Sequence, residues 1–368
     1  MKRILLGSRR ALTTILGMFF LSSISYSQEW VEFYNNTRSL GMGGAGVAVT
    51  SDETALYRNP ANLGSVRDVY GTYFDPEVDA SSNFVNQVTG QFTGKAFDLQ
   101  TIRDILDTNR DQYYHARMQV TPTIVRRNIG FGLIYRNQVH AMTESTGTTM
   151  DTYYQNDLGV ALGANLRLFD GRIKIGATAK AFNRIEVINP TLSTAGPFDL
   201  STVGSEGTGL SIDGGLLIQI PWKLLPTIGA VVRDAGDTVF DRKDGLRLRT
   251  TTRPATVKQS IDAAISIFPI HSNEFRSVWT IEYADVANSR QDNDNVKRVR
   301  FGFETNWRDV LFFRAGIHQR YWTAGFEVAS EKVSWQVASY GEEVGTTVNG
   351  VTTNKEDRRL STKFAVRF

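Results

Sequence analysis

The sequence predicts an all-β fold, a transmembrane β-barrel of about 14 antiparallel strands, from three observations. Apolar and polar residues alternate with a period of two through most of the chain. The last alternating run places Leu360, Phe364 and Phe368 on one face and Lys363 and Arg367 on the other. A basic and then apolar stretch at the N-terminus has the pattern of an export signal. Lipid can cover the apolar face of a closed barrel, so all three observations fit this fold.

Residues 1–27 are predicted to be a signal peptide. Four basic residues precede an apolar run over residues 11–21, and Ser25-Tyr26-Ser27 offers small residues at the cleavage positions. A retained anchor would need about 20 apolar residues without interruption, and this run is shorter. We therefore expect export, with cleavage before Gln28.

Loss of this peptide changes the overall charge of the chain. The complete chain has a formal net charge of +3, and residues 1–27 hold four basic residues and no acid, which leaves 3 − 4 = −1. A chain near neutrality lacks the basic surface that nucleic acid requires, so we expect no nucleic-acid partner. The chain has no cysteine, which excludes disulfides and thiolate metal ligands.

The clearest hairpin lies in residues 157–187. Even positions from Leu158 to Leu168 are apolar and odd positions are small or polar, whereas after the turn the odd positions from Ile173 to Ala181 are apolar. Asp170-Gly171 separates the two runs and is a favoured hairpin turn.

The same pattern predicts about 14 strands, an even number as in bacterial single-chain barrels. Short turns alternate with long polar loops, which is typical of short periplasmic turns and long external loops. The connection at Arg320-Tyr321 is an exception, because by this count it is external yet very short; either that loop is truncated or the register slips there. A secreted β-sandwich is the alternative, but it would need a second sheet to cover every apolar face. The predicted strands are residues 68–79, 116–126, 129–144, 152–169, 172–187, 207–220, 225–236, 255–268, 275–288, 296–307, 310–319, 321–330, 332–342 and 357–368.

The region before the first strand resembles the hatch of the FadL family of outer-membrane transporters. The resemblance rests on Thr37-Arg38-Ser39-Leu40-Gly41-Met42-Gly43-Gly44-Ala45-Gly46-Val47-Ala48 and on Arg58-Asn59-Pro60-Ala61-Asn62-Leu63. It implies a hatch or plug over residues 28–65 inside a barrel over residues 66–368. The residues expected to form the plug are Gly41, Gly43, Gly44, Gly46, Asn59, Pro60 and Ala61.

The composition of this region supports a packed plug over a disordered leader. Glycine allows close backbone packing in a crowded lumen, and Pro60 fixes a turn before the first strand. A disordered leader would explain the glycines but not the apolar Leu40, Met42, Val47 and Leu56.

The FadL resemblance implies passive uptake of hydrophobic or amphipathic small molecules such as fatty acids through the outer membrane. Expected partners are outer-membrane lipid, such a ligand, and the barrel-assembly machinery, which would bind the strand that ends at Phe368. The C-terminal part also resembles PorV-like relatives, through Glu282-Tyr283-Ala284-Asp285 and Tyr340-Gly341-Glu342-Glu343. That resemblance keeps open an alternative, a secretion-associated shuttle or a structural barrel without transport.

Charged residues on the predicted inward faces are candidates for ligand contact. A cationic subset could meet a ligand carboxylate, although charges of both signs could instead form a compensating network that braces barrel and plug. An apolar helix in residues 97–114 could likewise be a lid or an ordinary loop helix. The candidate ligand-facing residues are Lys174, Lys180, Arg184, Arg298, Arg300, Arg314 and His318.

Catalytic, metal and cofactor sites are not expected from the sequence. Gly41-Met42-Gly43-Gly44-Ala45-Gly46 matches a dinucleotide fingerprint, but neither a preceding strand nor a βαβ unit surrounds it. The four histidines, His115, His140, His271 and His318, are far apart in sequence, and none has a ligand partner at metal-binding spacing.

Overall fold

The computed structural model describes residues 29–50, 52–86, 95–143, 145, 147–195, 197–241, 246–248, 250–292, 294–348 and 351–367. The predicted signal peptide and Phe368 lie outside these residues. The chain divides into two compact units, residues 1–31 with 343–356 and residues 32–342 with 357–368. The first unit contains a two-stranded hairpin, Thr346–Val348 and Val351–Thr353. The second contains the barrel.

Fourteen antiparallel strands form a closed barrel, as predicted. Within the described residues the sheet has 16 segments, but two strands are each broken once, so 16 − 2 = 14 strands. They are β1 (Tyr70–Phe74 and Glu77–Ser81), β2 (Tyr113–Val120 and Thr123–Arg126), β3 (Ile129–Thr143), β4 (Thr149–Leu168), β5 (Ile173–Ser193), β6 (Ser205–Gln219), β7 (Thr227–Arg233), β8 (Ser260–Ile267), β9 (Phe275–Tyr283), β10 (Val299–Trp307), β11 (Leu311–His318), β12 (Tyr321–Ala329), β13 (Val333–Glu343) and β14 (Glu356–Arg367).

The two breaks follow from proline. Pro76 interrupts β1 and Pro122 interrupts β2, because proline has no amide hydrogen to donate to the ladder. The Asp75 carboxylate accepts hydrogen bonds from the backbone nitrogen of Thr121 at 2.7 Å and from its hydroxyl at 2.9 Å. This contact holds the two interrupted strands together where ladder bonds are missing.

The barrel closes between its first and last strands. Leu360 of β14 lies opposite Ala80, and Thr362 lies opposite Val78. Arg367 lies opposite Thr72 on the other segment of β1. Every other pair joins two strands that are consecutive in the chain, when the two segments of β1 and of β2 are each counted as one strand.

The predicted apolar faces point outward. Leu158, Leu162 and Leu166 of β4 are 51%, 59% and 60% exposed, whereas Ala161 between them is buried. Lipid is the environment that accepts such a continuous apolar outer surface on a closed barrel.

The short connection after β11 is a truncated loop, without a register slip. His318 lies opposite Tyr321, and Gln319 and Arg320 have φ angles of 49° and 90°. Two positive φ values in a two-residue turn match the right-handed twist of the flanking strands.

Several strand ends differ from the prediction. β4 and β5 extend further, to Thr149 and Ser193, whereas β7 and β9 end early, at Arg233 and Tyr283. Positive φ angles follow the two early ends, at Asp234 directly after Arg233 and at Asp285 two residues after Tyr283. An alternating sequence continues past these points, but the backbone turns away from the ladder there.

The α-helices in the part of the chain that the structure describes are short and lie outside the strands. They are α1 (Thr37–Gly41), α2 (Ala55–Arg58), α3 (Leu99–Thr108) and α4 (Leu200–Val203). Among the described helices, none is long and apolar enough to cross a membrane.

Candidate functional site

The N-terminal segment, residues 32–65, forms the candidate site together with the inward faces of the strands. It begins with α1, whose N-cap Asn36 accepts a hydrogen bond from the Ser39 nitrogen at 2.7 Å. A glycine-rich turn then runs along β10 and β11. A Cβ atom on Gly43 would lie 2.3 Å from the Phe301 carbonyl oxygen, and Gly43 has a φ of 67°. Both the close approach and the backbone angle therefore require glycine at this position.

A wall carboxylate binds the backbone of the glycine-rich turn. Glu282 of β9 accepts hydrogen bonds from the backbone nitrogens of Gly46 and Val47, at 2.9 and 3.0 Å. Arg58 lies against the same turn and donates to the Gly44 carbonyl at 2.6 Å. Arg300 of β10 bonds Glu282 at 3.0 Å. The segment is thus fixed to two adjacent strands by a buried charge.

Glu32 completes this buried ion network. It pairs with Arg300 and lies 3.2 Å from Arg58. Burial alone would raise the pKa of the Glu32 carboxyl, but the guanidinium groups of Arg300 and Arg58 hold it well below its usual range. Two acids and two arginines therefore neutralise one another where the segment contacts the wall.

A second ion network anchors α1. Arg38 donates to both carboxylate oxygens of Glu304 on β10, at 2.9 and 2.7 Å, and to Asp52 at 2.8 Å. Glu304 also accepts from Arg314 of β11 at 2.6 Å, and Arg314 pairs with Glu327 of β12. Burial raises the pKa of Asp52, but Arg38 and the Thr54 hydroxyl lower it to about 2.

The Asn-Pro-Ala element holds the segment together internally. Asn59 and Asn62 both donate to the Val47 carbonyl at 2.9 Å. The Asn59 side-chain oxygen also caps a short 3₁₀ helix by accepting from Ala61 at 3.0 Å, and Pro60 occupies the first position of that helix. This packing needs a small wall residue, since a Cβ on Gly215 of β6 would lie 2.0 Å from the Asn59 oxygen.

Comparison with known proteins identifies the fold. The sequence matches no protein-family profile and no curated protein. Among solved structures, the CymD monoaromatic hydrocarbon channel has a TM-score of 0.54 at 12% identity, with 95% of this chain and 98% of that chain covered. The Pseudomonas putida toluene transporter TodX has a TM-score of 0.52 at 10% identity, with 94% and 100% covered. A Pseudomonas aeruginosa FadL homologue has a TM-score of 0.52 at 13% identity, with 94% and 99% covered.

The chain has the FadL-like fold. The similarity covers nearly the whole of each chain, and at these identities it concerns the fold alone. Within this FadL-like barrel, the glycine-rich turn and the Asn-Pro-Ala element lie against β6, β9, β10 and β11.

The seven candidate ligand-facing residues of the FadL-like barrel are all buried. Lys180 pairs with Asp213 at 2.8 Å, and Arg184 pairs with Asp157 at 2.8 Å. Arg300, Arg314 and His318 also have acidic partners. Lys174 instead donates to the Ser65 hydroxyl at 2.8 Å, and Arg298 donates to the Asp292 carbonyl.

His318 links the glycine-rich turn to β13. Its Nδ1 lies 3.2 Å from the Gly43 carbonyl oxygen, and its Nε2 lies 3.1 Å from a Glu342 carboxylate oxygen. The imidazole therefore bridges a backbone oxygen of the turn and a side-chain oxygen of the wall with its two ring nitrogens. His318 therefore holds the turn in place rather than facing open space.

Helix α3 covers an apolar cluster on the outward-facing side of β2–β5, where Tyr154 shares a face with Leu158 and Ile185 shares a face with Ile175. Leu99, Ile102 and Leu106 lie on one face of the helix and are buried. The helix has an N-cap, because Asp98 accepts from the Thr101 nitrogen at 2.9 Å. The sequence predicted this apolar face but left its packing open. The wall residues of the cluster include Tyr114, Val139, Met150, Tyr154, Ile185 and Val187.

The sequence did not reveal that two distant histidines are neighbours. His115 of β2 lies directly opposite His140 of β3. The two histidines are far apart in the sequence, and the register between β2 and β3 brings them together. The hydrophobic alternation of these strands could have predicted that register.

Proposed function

We propose that this FadL-like barrel lies in the bacterial outer membrane and allows passive diffusion of hydrophobic small molecules. The observation that carries the proposal is a closed, outwardly apolar barrel whose inward face binds the N-terminal segment. The three solved structures above are a hydrocarbon channel, a toluene transporter and a FadL homologue. Their names support transport of apolar compounds over catalysis.

The N-terminal segment acts in this proposal as a hatch. It would extend over residues 28–65, after a signal peptide of residues 1–27 and before a barrel of residues 66–368. Polar contacts to the wall dominate the anchoring through Glu282, Glu304 and His318. Such contacts can be exchanged for water, so the segment can move without unfolding the strand ladder.

The luminal charges favour an uncharged ligand over a fatty acid. Five of the seven candidate cations already pair with carboxylates, so a ligand carboxylate would have to compete with buried ion pairs. We therefore place small neutral hydrocarbons ahead of fatty acids as ligands. The alternative, a secretion-associated shuttle or a structural barrel without transport, would have the same fold and stays a prediction.

The absence of cysteine permits a direct test of the hatch. The Thr37 hydroxyl of α1 lies 2.9 Å from the Ser361 hydroxyl of β14, so a cysteine pair at these positions can form a disulfide after small movements. A matched control exists within the wall, where the hydroxyls of Ser266 and Thr280 on paired strands are 2.8 Å apart. The first pair locks the segment, whereas the second only joins β8 to β9.

Uptake of labelled toluene and of a labelled long-chain fatty acid would be measured in a host lacking its own FadL-like transporter. We expect the oxidised Thr37→Cys/Ser361→Cys protein to lose at least about tenfold in toluene uptake, with recovery on reduction. The Ser266→Cys/Thr280→Cys control keeps full uptake in both states. Uptake equal to that of cells without the protein would refute the conduit, and full uptake by the locked barrel would refute the hatch.

A further inference from the structure

Two buried histidines lie side by side on the inner wall, on strands other than those that carry Glu282, Glu304 and His318. His115 and His140 are 1% and 7% exposed and occupy directly opposed positions of β2 and β3. A ring nitrogen of one lies within 4.8 Å of a ring nitrogen of the other. Two nitrogens that bind one tetrahedral zinc ion are about 3.3 Å apart, so a small side-chain rotation brings both into coordination range.

Neighbouring rings restrict how the His140 side chain can turn, so the small rotation that metal binding needs is made by His115. The Tyr153 ring of β4 stacks on His140 with centroids 4.6 Å apart and planes 10° apart. Tyr113 stacks on His140 at 5.6 Å. A ring stacked between aromatic neighbours keeps its orientation, so less conformational freedom is lost when a ligand binds.

A carboxylate stands behind His115, as it does behind many metal-binding histidines. Asp79 Oδ1 of β1 lies 3.6 Å from His115 Nε2. The other Asp79 oxygen accepts from Arg117 at 2.9 Å and from the Tyr340 hydroxyl at 2.8 Å, which fixes the carboxylate in place. A neutral His115 ring whose Nε2 proton is directed toward Asp79 keeps its lone pair on Nδ1.

Two imidazole rings this close can offer nitrogen lone pairs to one metal ion, which then lies as a single positive centre between them. Imidazole nitrogen suits zinc, copper and nickel, whereas calcium and magnesium prefer oxygen ligands.

We propose that His115 and His140 form a two-imidazole binding site for a divalent transition metal such as Zn²⁺, with Asp79 as a positioning residue behind His115. Water completes the coordination. The ion joins β2 to β3 near the end of the barrel that carries α3, and the site is independent of the transport proposal. The sequence alone predicted no metal site, because the two histidines are far apart in the chain.

Zinc binding to the purified, folded protein tests the site. After chelator treatment and dialysis against Zn²⁺, we expect one equivalent bound per chain. His115→Gln and His140→Gln each weaken binding by at least about tenfold, and Asp79→Asn weakens it by about tenfold to a hundredfold. The control is His271→Gln, since His271 lies in the turn between β8 and β9 and contacts Ser277 at 2.8 Å; it keeps full binding.

Folding and ligand type are checked separately. Each variant must show the folded, unboiled migration of the intact barrel, which excludes loss of binding through misfolding. Cobalt substituted for zinc should give an absorption spectrum typical of nitrogen ligation, and both single histidine variants should lose it. Equal zinc content in the intact protein and in a His115→Gln/His140→Gln double variant would overturn the proposal.

Discussion

At the scale of single residues, Glu282 is a buried contact between the N-terminal segment and the wall. It accepts from two backbone nitrogens of the glycine-rich turn and pairs with Arg300, and it lies 3.8 Å from Arg58. These groups are buried, so each charge depends on its partners for the stabilisation that water would otherwise supply.

Glu282→Gln should weaken the attachment of the segment, because Arg58 and Arg300 lose a buried countercharge. We expect a loss of about 3–5 kcal/mol, measured as a lower urea concentration at which trypsin first cleaves within the segment. The control is Glu274→Gln, whose exposed pair with Arg308 contributes about 0–1 kcal/mol. Equal urea dependence in both variants would show that Glu282 does not anchor the segment.

Acid should loosen the segment through Asp52. Its pKa is lowered to about 2 in the folded protein, from a usual value of about 3.9. Because the pKa is lowered, the ionised Asp52 carboxylate stabilises the folded state above about pH 4. That contribution is lost as the pH falls toward 2 and the carboxylate takes up a proton. Planar-bilayer conductance should therefore rise as the pH falls from about 4 to 2.

Asp52→Asn gives the control for this pH dependence. The variant cannot ionise at position 52, so it should leak already at pH 7 and respond less to acid. An intact protein with the same conductance at pH 3 and pH 7 would contradict the role of the Arg38–Asp52 pair.

At the scale of elements, α3 is attached by one apolar face. Ile102 and Leu106 are fully buried against the cluster on β2–β5, and Asp107 on the same helix is exposed. The helix is short, so packing rather than helix propensity holds it in place.

Ile102→Ala should detach α3 locally, since it leaves a cavity in the apolar cluster. The expected cost is about 2–5 kcal/mol, seen as faster hydrogen exchange of the helix amides while the barrel amides stay protected. Asp107→Ala, on the exposed face, should change exchange by no more than about 0.5 kcal/mol. Unchanged exchange in Ile102→Ala would mean that the helix does not depend on this contact.

The elements were largely predictable from the sequence, and the contacts between them were not. The alternation of apolar and polar residues predicted the 14 strands, because the outward side chains of every strand face an apolar environment. The predicted strands extended too far at Asp234 and Asp285, because positive φ angles end the strand there although the alternating pattern continues. It also suggested inward charges, but pairing such as Arg314 with Glu304 and Glu327 depends on register and on side-chain reach.

At the scale of the whole molecule, the barrel has no free sheet edge. β14 pairs with β1, so every strand has two neighbours. A closed ladder resists detergent because opening it requires breaking a full row of hydrogen bonds at once.

The folded protein should therefore migrate differently in SDS gels before and after boiling. Removing Phe368 should reduce the amount of this folded form more than shortening the turn at Gln319-Arg320 does. Identical migration before and after boiling, together with purification as a water-soluble protein, would contradict the barrel.

The central claim is that the N-terminal segment closes a barrel that is otherwise a conduit. Planar-bilayer recording of a variant lacking residues 32–55 tests it most directly, with residues 1–31 and all strands retained. The strand ladder does not need the segment to close, so the deleted barrel should fold and conduct ions steadily, whereas the intact barrel stays nearly silent. A deleted barrel that shows the folded migration in SDS gels yet conducts no better than the intact protein would contradict the account.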